Sequence, residues 1–193
     1  MKKIALFASG SGSNVQVIAE YFIKSKSAEI NCILTNNRDA YVLTRSQSLN
    51  IQSFIFTKDD LYNNSRILDL LHQHKIDFIV LAGFLWLMPD SIVNAFSGRI
   101  VNIHPALLPK YGGKGMYGMK VHQSVIDNKE KESGITIHYV NEKYDDGDII
   151  LQVKCDVDPK DTPESLAQKI HILEHTHYPL VIDRIISEID PVK

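Results

Sequence analysis

The chain has 193 residues, of which 23% are charged and 44% hydrophobic, and its formal net charge is -2. This length suits one domain of 1–193 with a sizeable core, and the composition is that of a globular protein. The charge argues against a broad nucleic-acid surface, which needs a basic excess, and no apolar run approaches the roughly 20 residues that span a membrane.

The two cysteines and the N-terminus indicate the compartment. Cys32 and Cys155 lie in separate apolar segments, which is typical of buried thiols in a reducing environment rather than of a disulfide framework. Met1-Lys2-Lys3 leads directly into a predicted strand instead of a signal peptide. We therefore expect a cytoplasmic protein without an export signal.

The chain begins with a strand, a glycine-rich turn and a helix. Residues 3–8 form a continuous apolar run, typical of a parallel strand that is buried on both faces. The turn Ser9-Gly10-Ser11-Gly12-Ser13-Asn14 follows, and Ser13 or Asn14 is the predicted N-cap of the next helix. Because this arrangement presents free N–H groups to an anion, it indicates a phosphate site. A turn that only tightens packing is the alternative.

Two details of the sequence around this turn narrow the class of ligand. The third glycine of a dinucleotide fingerprint is replaced by Val15, and the second strand, at 29–34, has no carboxylate at its tip. A phosphate monoester is therefore favoured over a nicotinamide cofactor.

Further strand–helix units follow and imply right-handed crossovers in a parallel sheet. The predicted helices cover 39–49, 58–74 and 90–96, and the predicted strands cover 52–56 and 77–81. Trp86 and Met88 come just after the last of these strands, so they belong either to the core or to the wall of a slot for a flat aromatic ligand.

A polar pair follows at the end of the next strand. Residues 99–103 predict a short strand that Pro105 ends, because proline has no N–H to donate. Asn102 and His104 are two residues apart and project to the same side, at the edge where open α/β sheets bind ligands. The pair therefore indicates a catalytic site, and a histidine hydrogen-bonded to a nearby carbonyl is the alternative.

A glycine-rich loop and an acidic turn flank the remaining strands. Residues 110–118 are predicted to be a mobile lid without regular structure, before a helix at 119–127. Strands are predicted at 134–140 and 148–157. Between them Asp145 and Asp146 are either ordinary turn residues or the source of a carboxylate for His104.

The last helix is predicted to begin with Thr162 as its N-cap and Pro163 as its first residue, and Pro179 is predicted to kink it or end it near His175. His171-Ile172-Leu173-Glu174-His175 matches the inverted zinc-protease signature. Since no third ligand is evident, no metal site is expected.

Taken together, these motifs resemble the phosphoribosylglycinamide formyltransferases, the folate-dependent transformylases of purine synthesis. The resemblance covers essentially the whole chain. It is carried by these segments: Ser9-Gly10-x-Gly12-Ser13-Asn14, Leu81-Ala82-Gly83-Phe84, Asn102-Ile103-His104-Pro105-x-Leu107-Leu108-Pro109, Asp145-x-Gly147-x-Ile149-Ile150, and Glu174-His175 before Tyr178-Pro179.

The resemblance implies a fold and a set of roles. The fold would be a doubly wound, mostly parallel α/β sheet of Rossmann-like type with antiparallel C-terminal strands, divided into a phosphate-binding half (1–98) and a catalytic and folate half (99–193). The implied catalytic residues are Asn102, His104 and Asp145. The implied acceptor-binding residues are Gly12, Ser13, Asn14, His171 and Glu174. The implied folate-binding residues are Leu85, Trp86, Leu87, Met88, Asn102, Val140, Asn141, Tyr144 and Asp145.

The resemblance also implies the substrates. They would be 10-formyltetrahydrofolate as co-substrate and 5'-phosphoribosylglycinamide as acceptor, with no metal, nucleic-acid or membrane partner, in a monomer or weak homodimer. Trp86 stands where family members carry a basic residue, and Arg66 is a nearby candidate to contact the folate tail. Asp145 beside His104 would favour the charged imidazole, and both Asn102 and His104 would donate to the oxyanion.

Three other functions stay open from the sequence. Methionyl-tRNA formyltransferases share Asn-x-His-Pro but add a basic C-terminal domain, which is not expected here. A 10-formyltetrahydrofolate hydrolase would use the same residues with water as acceptor. A non-catalytic nucleotide-binding module would account for the glycine turn and leave Asn102, His104 and Asp145 without a role.

Overall fold

The computed structural model describes residues 1–189. Its seven strands are β1 (Lys2–Phe7), β2 (Ala28–Thr35), β3 (Gln52–Ile55), β4 (Phe78–Leu81), β5 (Ile100–His104), β6 (Glu132–Tyr139) and β7 (Ile149–Asp156). They form one sheet in the order β3-β2-β1-β4-β5-β6-β7. The first five strands are parallel, and β6 and β7 are antiparallel to their neighbours. The predicted doubly wound sheet with antiparallel C-terminal strands is confirmed.

Helices cover both faces of the sheet. They are α1 (Ser13–Ser25), α2 (Val42–Ser48), α3 (Lys58–Tyr62), α4 (Arg66–Gln73), α5 (Asp90–Ala95), α6 (Met119–Asp127) and α7 (Pro163–Glu188). Side chains of β1 alternate between the two layers: Ile4 and Leu6 join the core beneath α1, α6 and α7, whereas Ala5 and Phe7 join the core beneath α3, α4 and α5. Because β1 is buried on both faces, its continuous apolar run has a direct structural reason.

Two predicted helices differ from the observed ones. The helix expected over 39–49 begins only at Val42, and the helix expected over 58–74 is divided into α3 and α4. Asn63 and Asn64 both donate from their side chains to Asp59 at this break. Such local side-chain bonds compete with helical geometry, which explains the interruption.

The predicted N-cap of α1 is wrong. Gly12 occupies the cap position with φ 70° and ψ 27°, and no side chain caps the helix. Asn14 instead donates its amide to Glu174, far along the chain. The first N–H groups of α1 therefore lack the side-chain partner that caps normally supply.

Helix α7 begins as predicted and ends later than predicted. Thr162 caps it through a capping box, with Pro163 in its first turn. The helix continues through Pro179 to Glu188, so it does not end near His175, and the other predicted outcome, a kink at Pro179, stays a prediction. Tyr178 is fully buried and donates to the carbonyls of Leu81 and Val101 at 3.0 and 3.2 Å. This tertiary burial offsets the one hydrogen bond that a proline removes.

Within residues 1–189, no helix combines the length and the apolar character that crossing a membrane requires. Cys32 and Cys155 are free thiols, the first buried and the second half-buried.

Candidate active site

A cleft of about 550 Å³ lies at the carboxyl ends of β1, β4 and β5. This is the edge at which open α/β sheets bind ligands, and the volume is within the usual range for small-molecule sites. Its walls include the Gly10–Asn14 turn and the Leu85–Met88 segment, which are close neighbours because the Leu85 N–H donates to the Ser9 hydroxyl at 3.1 Å. All the expected site residues line it except Asn141, which bonds Lys143 and Asp146 and so holds the turn beside the cleft.

The cleft wall brings together three residues that we call the strand-end trio: Asn102, His104 and Asp145. The Asn102 amide donates to Asp145 Oδ1 at 3.4 Å, and His104 Nδ1 lies 3.5 Å from Asp145 Oδ2. Asp145 has φ 52°, a left-handed conformation that aspartate tolerates better than most residues. Asp146 instead pairs with Lys143 near the surface. Of the two aspartates, Asp145 is therefore the one beside the histidine.

His138 completes this arrangement, and the sequence analysis did not single it out. It lies directly across from Asn102 in the antiparallel pairing of β5 with β6. Its Nδ1 donates to the Tyr139 carbonyl at 2.8 Å, which leaves Nε2 to accept from the Asn102 amide at 3.2 Å. His138 Nε2 is also 3.7 Å from Asp145 Oδ1. Only the strand pairing could have identified this residue, because nothing in its local sequence distinguishes it.

His104 is neutral rather than charged. The ring is 3% exposed, and its Nε2 donates to the Tyr111 carbonyl at 2.7 Å. Burial lowers the pKa of His104 and outweighs the opposing effects of Asp145 and the carbonyl. Asp145 does favour the imidazolium, as expected, but its effect is smaller than that of burial. The hydrogen bond from His104 to a nearby carbonyl, which was the alternative to a catalytic role, is present, and so is the contact with the Asp145 carboxylate.

Asp145 remains ionised although its side chain is only 11% exposed. Burial alone would raise the pKa of Asp145, but the adjacent His138, His104 and Gly113 N–H together hold it below its ordinary value. The Gly113 N–H donates to Asp145 Oδ2 at 2.9 Å. The strand-end trio thus contains a carboxylate that can accept protons or hydrogen bonds.

The glycine turn packs closely against Val42 and leaves the first N–H groups of α1 free. A Cβ on Gly12 would lie 2.5 Å from Val42 Cγ2, and the positive φ of Gly12 disfavours any side chain. Asn14 Nδ2 donates to Glu174 Oε2 at 2.9 Å and joins α1 to α7. The pKa of Glu174 is raised by burial, although Asn14 and His171 act in the opposite direction. The free N–H groups at this helix end, next to a carboxyl group that favours its neutral form, suit an anionic ligand.

The histidines of the protease-like signature do not surround a metal position. The rings of His171 and His175 are stacked at 6.1 Å, and Glu174 is engaged with Asn14. In the described part of the chain, no group of three histidine, cysteine, aspartate or glutamate residues has the arrangement of a metal site.

The Leu85–Met88 part of the cleft wall is aromatic and apolar. Trp86 packs edge-on against Phe56 at 6.1 Å, and Lys58 lies 5.5 Å from the centre of the Trp86 ring. Tyr62 donates to the Leu87 carbonyl and supports the segment from below. Arg66 does not line the cleft, because it pairs with Asp60 at 2.9 Å on α3.

The glycine-rich loop at 112–118 forms part of the cleft wall and contains no helix or strand. It contacts the strand-end trio through the Gly113 N–H and through the neighbouring Tyr111 carbonyl. Its closure over a bound ligand stays a prediction.

Comparison with known proteins places this geometry in a family context. The model of the family described as formyl transferase matches residues 2–182. The phosphoribosylglycinamide formyltransferase of Haemophilus influenzae is 38% identical, with coverage of 94% of this chain and 86% of the relative. The chloroplastic phosphoribosylglycinamide formyltransferase of Arabidopsis thaliana is 42% identical over 97% of this chain, which spans 66% of that longer protein. The crystal structure of phosphoribosylglycinamide formyltransferase from Anaplasma phagocytophilum matches this fold with a TM-score of 0.87 at 34% identity. The match covers 97% of this chain and 88% of that protein's chain.

Proposed function

This chain belongs to the formyl transferase family, and from that premise we propose that it transfers the formyl group of 10-formyltetrahydrofolate to the amine of 5'-phosphoribosylglycinamide in de novo purine biosynthesis. The observation that carries the proposal is that the strand-end trio shares one cleft with two chemically different wall segments. The open N-terminus of α1 suits the acceptor phosphate, and the aromatic segment suits the pterin.

The acceptor end is assigned to the phosphoribosyl group. Gly12, Ser13 and Asn14 present the first N–H groups of α1, whose positive helix end favours a phosphate. Glu174 and His171 line the same end of the cleft, where they bind the ribose and the glycinamide. Because Asn14 joins Glu174 directly, the phosphate and ribose contacts form one connected unit.

The donor end is assigned to the folate. Leu85, Trp86, Leu87 and Met88 form one wall, and Val140, Tyr144 and Asp145 form the facing turn. Aromatic and apolar walls with a few polar groups are typical of sites for flat heterocycles.

The chemistry follows from the trio. The amine attacks the formyl carbon, a new C–N bond forms, and negative charge develops on the formyl oxygen. The Asn102 amide and the His104 Nε2–H are the two donors for this oxyanion, and His104 exchanges its Tyr111 carbonyl for the reacting oxygen. The bond from the formyl carbon to the folate nitrogen then breaks. Asp145 accepts the proton that the amine loses and returns it to the folate nitrogen.

We also propose that the two halves of the chain, 1–98 and 99–193, divide the binding of phosphate and folate only in part. Glu174, which is assigned to the acceptor, lies in 99–193, and the Leu85–Met88 segment, which is assigned to the folate, lies in 1–98. The proposed location is the cytoplasm, and the proposed state is a monomer or weak homodimer. Sedimentation velocity over a range of concentrations measures that state.

A spectroscopic assay of folate deformylation, run with and without 5'-phosphoribosylglycinamide, tests the proposal. We expect deformylation only with the acceptor and formation of the formylated product in equal amount. Equal deformylation without the acceptor would instead identify a 10-formyltetrahydrofolate hydrolase. No deformylation in either arm, with nucleotide binding retained, would identify a binding module.

A further inference from the structure

His122 is a buried histidine of the cleft wall that none of the roles above uses. It lies on α6, on the face that also carries the buried Val121 and Val125. The residue is 3% exposed, and it borders the cleft on the side of His104 and His171. Its position therefore joins the strand-end trio to the acceptor end.

One ring nitrogen of His122 is available to a ligand. Within residues 1–189, His122 Nδ1 is fully buried and has no hydrogen-bond partner. No bond to Nε2 is present in the same range, and Nε2 is not among the fully buried, unpartnered atoms. Because protein groups pair neither nitrogen and His122 lines the cleft, Nε2 is the atom that a bound ligand can pair.

The surroundings of His122 keep it uncharged. Burial, followed by the electrostatic effects of His171 and His104, lowers its pKa to about 4. At neutral pH the ring therefore keeps a nitrogen lone pair that can accept a hydrogen bond, which an imidazolium cannot do.

Resting on the transfer reaction proposed above, we propose that His122 positions the acceptor amine by accepting a hydrogen bond from one of its N–H groups. An amine bound in this way has its own lone pair free, and it is held at the junction between the acceptor end and the strand-end trio. The contact orients the nucleophile towards the formyl carbon and leaves proton removal to Asp145. The atom that accepts is Nε2, because Nδ1 is enclosed by protein.

Three substitutions test both the role and the atom. In His122→Leu the ring is replaced by a side chain that fills similar space without a nitrogen, and kcat/KM for the acceptor is expected to fall at least about tenfold, because misplaced nucleophiles react slowly. The amide of His122→Gln reaches the position of Nε2, so this variant is expected to retain most activity. The shorter amide of His122→Asn reaches only the position of Nδ1, so it is expected to behave like His122→Leu.

A matched packing control and two independent measurements separate positioning from structure. Val125→Ala disturbs the same buried face of α6 without removing a nitrogen, and its acceptor kinetics are expected to stay near those of the original protein. The Kd of a folate analogue is expected to be unchanged in all four variants. In ¹⁵N NMR, the His122 Nε2 resonance is expected to shift when 5'-phosphoribosylglycinamide is added, and the Nδ1 resonance is not.

Two results would overturn the inference while the proposed function stands: a folded His122→Leu variant with unchanged acceptor kinetics, or equal losses in the Gln and Leu variants. Loss of folate-analogue affinity in parallel with kcat/KM would also count against it, because the effect would then be general. Absence of acceptor-dependent turnover in the unsubstituted protein would instead remove the proposed function, and this inference with it.

Discussion

Two carboxyl groups that are largely shielded from solvent in one cleft have pKa values shifted in opposite directions. Asp145 lies in the strand-end trio, and its pKa is lowered because three polar neighbours outweigh its burial. Glu174 lies at the acceptor end with one amide donor, and burial raises its pKa. The difference is in the number of donors around each group rather than in burial itself.

This contrast separates roles within the site. When the pKa values of two acids in one site are shifted in opposite directions, one is prepared to accept a proton and the other to retain or share one. Asp145 is thus suited to proton transfer, and Glu174 is suited to hydrogen bonding beside a phosphate, where a second negative charge would be unfavourable. The predictions that follow test this division.

The largest expected effect is at Asp145. In Asp145→Asn the proton acceptor is lost while the shape is kept, so kcat is expected to fall by about 10² or more, the usual contribution of a general base. Asp146→Asn is the matched control, because Asp146 is the exposed neighbour that pairs with Lys143, and its kcat is expected to stay unchanged. Steady-state kinetics with circular dichroism as the folding control measure both. A folded Asp145→Asn variant with more than a tenth of the original kcat would contradict the assignment.

A smaller effect is expected at Asn14. In Asn14→Asp a negative charge is added at the open end of α1 and the donor to Glu174 is lost, so the acceptor KM is expected to rise at least about tenfold, since charge-assisted bonds contribute about 1.5–3 kcal/mol. Gly12 is unsuitable for this test because a side chain there would collide with Val42.

The Asn14 experiment has a matched control two residues further along α1. Gln16→Glu adds the same charge outside the cleft, so its acceptor KM is expected to change little. The folate-analogue Kd is measured for both variants and is expected to be the same. Equal weakening of acceptor and folate binding by Asn14→Asp would show that this end is not specific for the acceptor.

A third prediction concerns stability and pH at Glu174. The folded state raises the pKa of Glu174, so its stabilising contribution is fully present below the unfolded value of about 4.3 and is lost as pH rises through the folded value. Glu174→Gln is therefore expected to raise Tm at pH 8 by roughly 2–4 °C for each kcal/mol of destabilisation that it removes. It is also expected to reduce the fall of Tm towards alkaline pH.

Asp145 provides the comparison of opposite sign. The pKa of Asp145 is lowered in the folded state, so its contribution is present above the unfolded value and is lost as pH falls through the folded value. Asp145→Asn is therefore expected to lower Tm at pH 8. Thermal melts of both variants from pH 4 to pH 9 provide the measurement, and shifts of the same sign at pH 8 would contradict the contrast.

No effect is expected from metal removal. The described residues hold no cluster suited to a metal ion, and Glu174 of the protease-like signature is engaged with Asn14. Extended dialysis against a chelator is expected to leave kcat and the acceptor KM unchanged. One zinc ion per chain by elemental analysis, together with loss of activity on chelation, would show that His171, Glu174 and His175 serve a metal.

Local sequence accounted for most of the secondary structure. The buried run of β1, the end of β5 at Pro105 and the N-cap at Thr162 depend on neighbours in the chain, so sequence patterns predicted them. The break between α3 and α4 was missed, and the sequence did not decide whether α7 passes through Pro179 with a kink or ends before it. Side-chain bonds at Asn63 and Asn64 decide the first, and burial of Tyr178 decides the second.

For the candidate site, too, local sequence predicted one part and tertiary structure decided the rest. The sequence by itself determined which residue types meet at the end of β5, because strand alternation places Asn102 and His104 on one side. Only the tertiary structure decided that Asp145 rather than Asp146 faces them, that His138 and His122 join them, and that His104 is neutral. Charge state depends on burial and on partners from distant segments, and those quantities exist only once the chain has folded.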